Sequence, residues 1–156
     1  MLRLLGANVK GDFGIEGSNR INYSIWESAR RMYLVNINWK EAGNKEKFYL
    51  RLWGKLYPVE CGEGFIQEVV WGDDLALSSE ERDIWITSLK RVKEKLYVCE
   101  LRGRGEGKIL IFIRGKEKAE IRDGKGTLLK PLWMREDTLS LPVKVEGRLL
   151  LQIRMH

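Results

Sequence analysis

Apolar and polar positions along this chain recur with two different periods, and the change of period sets the predicted elements. Trp85, Leu89, Val92 and Leu96 stand at i, i+4, i+7 and i+11, one face of a helix. Ser78 precedes that run with Glu81 three residues on, the spacing of a capping box, and Glu80 adds an acid where the helix dipole favours one. Lys90, Arg91, Lys93 and Lys95 fill the last turns, where cations complement exposed carbonyls. The spacing therefore predicts a well-defined helix over residues 79–95. Leu96 to Leu101 then reads as a strand, and Lys108 to Arg114 as a central strand apolar on both faces. Arg102-Gly103-Arg104-Gly105-Glu106-Gly107 between them reads as an arginine-glycine turn.

Upstream the pattern is less decisive. Leu2 to Val9 suits a strand or a short helix, and Lys10 to Asn22, with Gly11, Gly14 and Gly17, reads as a loop. Ile25, Ala29, Met32 and Tyr33 follow a Ser24-Glu27 capping box and predict a short helix over 25–33, whereas Ile21, Tyr23 and Ile25 alternate as a strand does. Tyr33, Val35, Ile37 and Trp39 alternate toward the Ala42-Gly43-Asn44 turn. Phe48 to Tyr57 reads as one strand with Phe48, Leu50, Leu52 and Leu56 on one face and Tyr49, Arg51, Trp53, Lys55 and Tyr57 on the other. Pro58 and Gly62-Glu63-Gly64 end it, Phe65 to Trp71 returns as its hairpin partner, and Gly72-Asp73-Asp74 makes the next turn. Toward the C-terminus, Ala119 to Ile121 has no decided type, and Pro131 argues against a central strand within Leu128 to Trp133. Leu139 to Val145 and Leu149 to Ile153 alternate on either side of Glu146-Gly147, which predicts a terminal hairpin.

The expected class is α+β: a mostly antiparallel sheet or partly closed barrel, in OB-like or ferredoxin-like order, in a single domain spanning 1–156. Length bears on this, because a chain of 156 residues can bury a core without a disulfide or metal. Cys61 and Cys99 are the only cysteines, in no C-x-x-C spacing, and suit two buried thiols in a reducing, cytoplasmic setting. No stretch approaches the ~18 apolar residues of a membrane helix, so no membrane partner is expected. The only histidine is His156, which argues against Ser-His or Cys-His catalysis and histidine metal sites. Catalysis would then fall to carboxylates with a hard ion such as Mg²⁺, and otherwise no cofactor is expected. Abundant Lys, Glu and Arg beside only two Gln are compatible with adaptation to heat.

Charge partition changes the picture most. Twelve Lys/Arg against six Asp/Glu lie between Lys90 and Lys125, so this segment alone equals the whole chain's formal charge of +6. A localised basic region is the electrostatic footprint of a polyanion partner, although charged turns are also simply solvated. Arg102, Arg104, Lys108, Arg114, Lys116 and Lys118 are the candidate phosphate contacts. Tyr49, Arg51, Trp53, Lys55 and Tyr57 interleave aromatics with cations, the layout of a platform on which bases stack. The expected function is thus nucleic-acid binding, single strands or RNA before duplex DNA, with a protein partner or second copy as the alternative that six tryptophans leave open.

Two local patterns resemble known families. Gly62-Glu63-Gly64-Phe65, followed by strand, turn, strand and the Ser78 segment, resembles the half-domain of LAGLIDADG homing endonucleases, as does Leu5-Gly6 leading to Gly11-Asp12-Phe13. That resemblance implies a Mg²⁺-dependent DNA endonuclease, with Glu63 or Asp12 as the acid at the end of the motif helix. Gly72-Asp73-Asp74 between apolar strands is similar to the metal-binding hairpin of nucleic-acid polymerases and reverse transcriptases, which implies Asp73 and Asp74 as metal ligands. A plain hairpin turn explains the same residues.

Overall fold

A computed structural model describes residues 11–18, 21–36, 46–61, 66–79, 81 and 83–156. About three quarters of the structure is strand. The described residues contain no α-helix, only one 3-10 turn at Glu27–Ala29. The α+β expectation is therefore wrong, and with it the OB-like and ferredoxin-like orders that needed a helix. The chain divides into two compact units, residues 1–68 and 69–156.

The first unit holds β1 (Gly14–Glu16), β2 (Ile21–Trp26), β3 (Arg31–Asn36), β4 (Glu46–Leu52) and β5 (Lys55–Cys61). β2 and β3 form an antiparallel hairpin in the place of the expected 25–33 helix. The helical set splits there: Ile25 and Met32 are buried directly opposite one another, while Ala29 lies in the exposed turn. Ile, Tyr and Trp in β2 favour the pleated surface, and that preference wins over a chance i, i+4 spacing. Leu2 to Val9, Ile37 to Asn44 and Glu63 lie outside the described residues.

β1, β4 and β5 form a three-stranded antiparallel sheet in that order. The expected single strand Phe48 to Tyr57 is two strands reversed at Trp53-Gly54, whose φ angles of 53° and 78° give the two-residue loop that matches strand twist. Leu50 then faces Tyr57 and Phe48 faces Val59, all buried, whereas Tyr49 faces Pro58. Pro58 is tolerated because β5 is at the sheet edge.

β6 (Ile66–Trp71) runs across the boundary between the units, and Glu68 near its middle accepts a hydrogen bond from Arg31 Nη1 at 3.2 Å. The second unit continues with β7 (Leu75–Ser79), β8 (Ile84–Lys93), β9 (Leu96–Ile113), β10 (Ala119–Asp123), β11 (Leu128–Leu129), β12 (Leu132–Arg135) and β13 (Thr138–Met155). Its spine is an antiparallel ribbon of β9 and β13, 18 residues each, paired from Thr138↔Phe112 to Arg154↔Leu96. β7 and β8 follow each other along the outer edge of β9, while β12 and β10 line that of β13.

The helix expected over 79–95 is therefore β8 and its approach. A second period was present in the same residues. Ile84 and Ile86 point inward, each 1% exposed, while Trp85 between them is 40% exposed. Ser79, not Ser78, does the local capping: its Oγ donates to the Ile84 carbonyl at 2.8 Å and accepts from the Glu81 N–H. Two further expectations fail for one shared reason. The arginine-glycine turn is the middle of β9, and the Glu146-Gly147 turn is the middle of β13, with Gly147 directly opposite Gly103.

An 18-residue strand reaches about 60 Å when straight. Tyr97, Cys99 and Leu101 near one end of β9 nevertheless share one core with Ile109, Ile111 and Ile113 at the other, together with Leu139, Val145, Leu151 and Ile153 of β13. The ribbon must coil back on itself for that to happen. Gly103, Gly105 and Gly147 take φ of 137°, 135° and 90°, a region open to glycine alone or nearly so, and they supply the change of direction. Gly103 carries a second constraint, because a Cβ there would overlap the Asp83 carbonyl, which also accepts the Arg104 N–H at 3.0 Å.

Near the start of the ribbon the buried Tyr97 hydroxyl donates to Asp74 Oδ2 at 2.9 Å. Burial, then that hydrogen bond, pushes the phenol up to about 12 from its ordinary 10.0. Its contribution to stability is complete below pH 10 and is lost as pH rises through about 12. Ultraviolet titration of the tyrosines should show one group ionising with that late midpoint together with alkaline unfolding, and Tyr97→Phe should remove it. For the ribbon, Gly105→Ala meets only backbone strain and should cost about 1–3 kcal/mol. Gly103→Ala adds the overlap with Asp83 and should cost about 2 kcal/mol more in urea unfolding. Equal losses would mean that close approach is not what Gly103 provides.

Candidate functional site

The expected Tyr49 to Tyr57 platform does not form a shared face. Tyr57 is fully buried opposite Leu50. Trp53 sits in the hairpin loop with its ring edge-on to Phe13 and to Tyr57, both at 6.3 Å between centroids. Lys55 Nζ lies 5.0 Å from the Tyr57 ring centre. Arg51 is committed to Glu16 through an ion pair and donates to the Gly11 carbonyl. Only Tyr49 keeps a large exposed ring, 46% accessible and against Gly17. These residues close the end of a hairpin.

Where described, the expected acids lie in turns. Asp12 is in the turn before β1, and its carbonyl accepts the Gly54 N–H at 2.8 Å. The residues before Glu63 form β5, a strand where the endonuclease resemblance implies a helix. Asp73 and Asp74 make the β6–β7 turn: Asp73 pairs with Arg91 at 3.5 Å, and Asp74 accepts from Tyr97. Arg114 is held to the same turn, donating its N–H to the Asp74 carbonyl and Nη1 to that of Asp73. Among the described residues no three or more His, Cys, Asp or Glu groups converge as metal ligands would.

The strand register of the second unit assembles a different site. Trp85 of β8 is opposite Arg102 of β9, and Arg102 is opposite Arg148 of β13. Because side chains alternate, the same outer face carries Lys90 on β8, Val98 and Glu100 on β9, Leu150 and Arg154 on β13, and Glu120 and Arg122 on β10. From Leu96 to Lys108 the even-numbered residues of β9 are the more exposed ones, while Tyr97, Cys99 and Leu101 fill the core; Phe112, farther along, is buried. In this half of the ribbon five cations and two carboxylates thus share a sheet face with an exposed indole. Of the expected phosphate contacts, Arg102, Arg104 and Lys108 fall along this outer row of β9. Lys116 is exposed in the bend after β9, and Lys118 is exposed with its backbone paired to His156.

Glu100 organises the centre of this face. Its Oε1 accepts from Arg102 Nε at 2.7 Å and from Thr87 Oγ1 at 2.8 Å, and its Oε2 accepts from Arg148 Nε at 2.6 Å. Arg102, then Thr87 and Arg148, hold the carboxyl down at about 2 from its ordinary 4.5. Each arginine spends its Nε on the carboxylate, so the terminal nitrogens of both guanidiniums remain for an anion. Farther along the ribbon, Arg104, Gly105, Glu106, Lys144, Val145 and Glu146 line an open groove of about 400 Å³. Trp85 was given to a helix face and Arg148 lay beside the expected Glu146-Gly147 turn, so neither was read with Glu100 as part of one face. The alternation of Leu149, Leu151 and Ile153 with Arg148, Gln152 and Arg154 was the signal that could have found Arg148.

A depressed carboxyl pKa contributes stability that is present above pH 4.5 and is lost as pH falls through about 2. Carbon-detected NMR should find Glu100 titrating near pH 2, and Arg148→Gln should move that midpoint up toward the ordinary value. An ordinary midpoint in the native protein would show that the two arginines do not converge on it.

Among the described residues no helix is long and apolar enough to cross a membrane. Comparison of the chain with protein-family models, with curated proteins and with solved structures returned no match.

Proposed function

We propose that this protein is a nucleic-acid-binding module that takes a single strand, RNA or DNA, across the outer face of β8, β9, β13 and β10. The observation that carries this reading is the Arg102–Glu100–Arg148 bridge beside exposed Trp85. A single strand needs cations at the spacing of its phosphates and flat apolar surface for its bases. Here two guanidiniums are held in place by one carboxylate, so little side-chain freedom is lost when a phosphate arrives. Trp85 supplies a ring on which one base stacks, and the exposed Lys90 and Arg154 extend the positive surface on either side. Glu100 acts by positioning the arginines.

Fluorescence anisotropy with a labelled oligonucleotide tests it. With about four phosphates contacted, the logarithm of the affinity should fall against the logarithm of salt with a slope of about −3. Arg102→Gln or Arg148→Gln should each lower that slope by about 0.7. Trp85→Ala should weaken binding by about 1–3 kcal/mol while leaving the slope unchanged. Binding that ignores salt and all three substitutions would remove the proposal.

A further inference from the structure

The basic face is not uniform along the ribbon, and its excess of cations is interrupted at the bend. Arg102 and Arg148 stand directly opposite one another, and both Nε atoms lie within 2.7 Å of the Glu100 carboxylate. Two arginines against one carboxylate leave this cluster cationic. On one side of it lie Lys90, opposite Val98, and Arg154, opposite Leu96, both exposed. On the other side the cations are matched: Arg104 is opposite Glu146, and Glu106 is opposite Lys144, whose Nζ is also 3.5 Å from Glu146. A polyanion gains little from a surface that carries both signs equally. The backbone turns there as well, since Gly103, Gly105 and Gly147 bend the ribbon around its core and carry the outer face away from a straight path. A strand coming from Lys90 and Arg154 therefore meets Arg102 and Arg148 as the last cations of its track.

The donors at this end suit an anion richer than a backbone diester. A phosphate inside a strand carries a single charge, whereas a terminal phosphate monoester carries about −1.5 to −2 and three strong acceptor oxygens. Each guanidinium has given its Nε to Glu100 and presents its Nη groups as a fork. Two forks held around one carboxylate can share the three oxygens of one phosphate. Trp85, opposite Arg102 and 40% exposed, fits the same end. The last base of a strand has one face without a neighbouring base, and it stacks on an indole without giving up a stacking partner.

We infer that the Trp85–Arg102–Arg148 cluster recognises the end of a single strand, taking its terminal phosphate monoester on the two guanidiniums and its terminal base on the indole. This rests on the nucleic-acid reading and adds to it the part of the strand that the cluster selects.

Competition against an internally labelled oligonucleotide, with the full chain, tests it. The competitors share one sequence: linear with two hydroxyl ends, linear with a 5′-phosphate, linear with a 3′-phosphate, and closed into a circle. One of the phosphorylated strands should compete about tenfold better than the hydroxyl strand, the effect of one more charge-assisted hydrogen bond, and the circle should be the weakest. Arg102→Gln or Arg148→Gln should abolish that difference, whereas Arg154→Gln should weaken every competitor alike and preserve it. Trp85→Ala should narrow the gap between the hydroxyl strand and the circle. Equal competition by all the strands overturns the inference while the nucleic-acid reading stands, and failure of any strand to bind removes both. Inorganic phosphate that displaces the label as well as the phosphorylated strand does, at equal concentration, also overturns it, because the cluster would then hold a free anion.

Discussion

The second unit depends on one constraint: two 18-residue strands must coil tightly enough for both halves to bury the same side. A flat ribbon of that length would leave two separate apolar patches too thin to hold themselves together, since each patch would have water on its far side. Coiling converts them into one core, in which fully burying each Ile or Leu contributes about 1.5–3 kcal/mol. The cost is paid at the backbone, in φ values at Gly103, Gly105 and Gly147 that other residues resist. The bend also brings the connection between β7 and β8 against Gly103 and Gly107, where side chains have no room.

That constraint explains which parts of the fold were legible. Glycine reads in sequence as chain reversal, and between alternating apolar runs a turn is the usual meaning. Here the registers continue unbroken from Leu101 through Gly103 to Ile109, and from Val145 through Gly147 to Leu149. The continuity was available as parity: Leu101, Gly103, Gly105, Gly107 and Ile109 are all odd, so the inward side never changes across the presumed turn. The helix over 79–95 failed differently. Trp85, Leu89 and Val92 have helical spacing, yet Trp85 is 40% and Val92 53% exposed, and the residues that make the core are their neighbours Ile84 and Ile86. A three-contact helical match competes poorly with β-branched residues at period two once a partner strand is present. By contrast, the Gly72-Asp73-Asp74 reversal and the break at Pro131 were legible, because each has turn chemistry without continuing parity on both sides.

The candidate site follows from the same parity. One register decides both that Tyr97, Cys99 and Leu101 go inward and that Val98, Glu100 and Arg102 go outward. Reading Arg102 and Arg104 as residues of a mobile loop would give each a separate solvated cation. Opposite one another on paired strands, Arg102 and Arg148 are fixed across the ribbon and bridged by Glu100, which limits where their remaining donors point. The aromatic partner also changes. Tyr49 to Tyr57 alternates well only if the chain runs straight, and the Trp53-Gly54 reversal sends Tyr57 inward. Trp85 is on the cationic face by register, in the unit that holds the arginines.

β13 links β12 to the basic face without mixing them. Its first residues, Thr138 to Ser140, pair with β12, whereas Arg148 to Arg154 carry the basic face near the other end, with the Gly147 bend between. A strand this long separates its neighbours by position along its length, so the Arg102–Glu100–Arg148 bridge stands on the far side of the Gly147 position from the residues that β12 pairs.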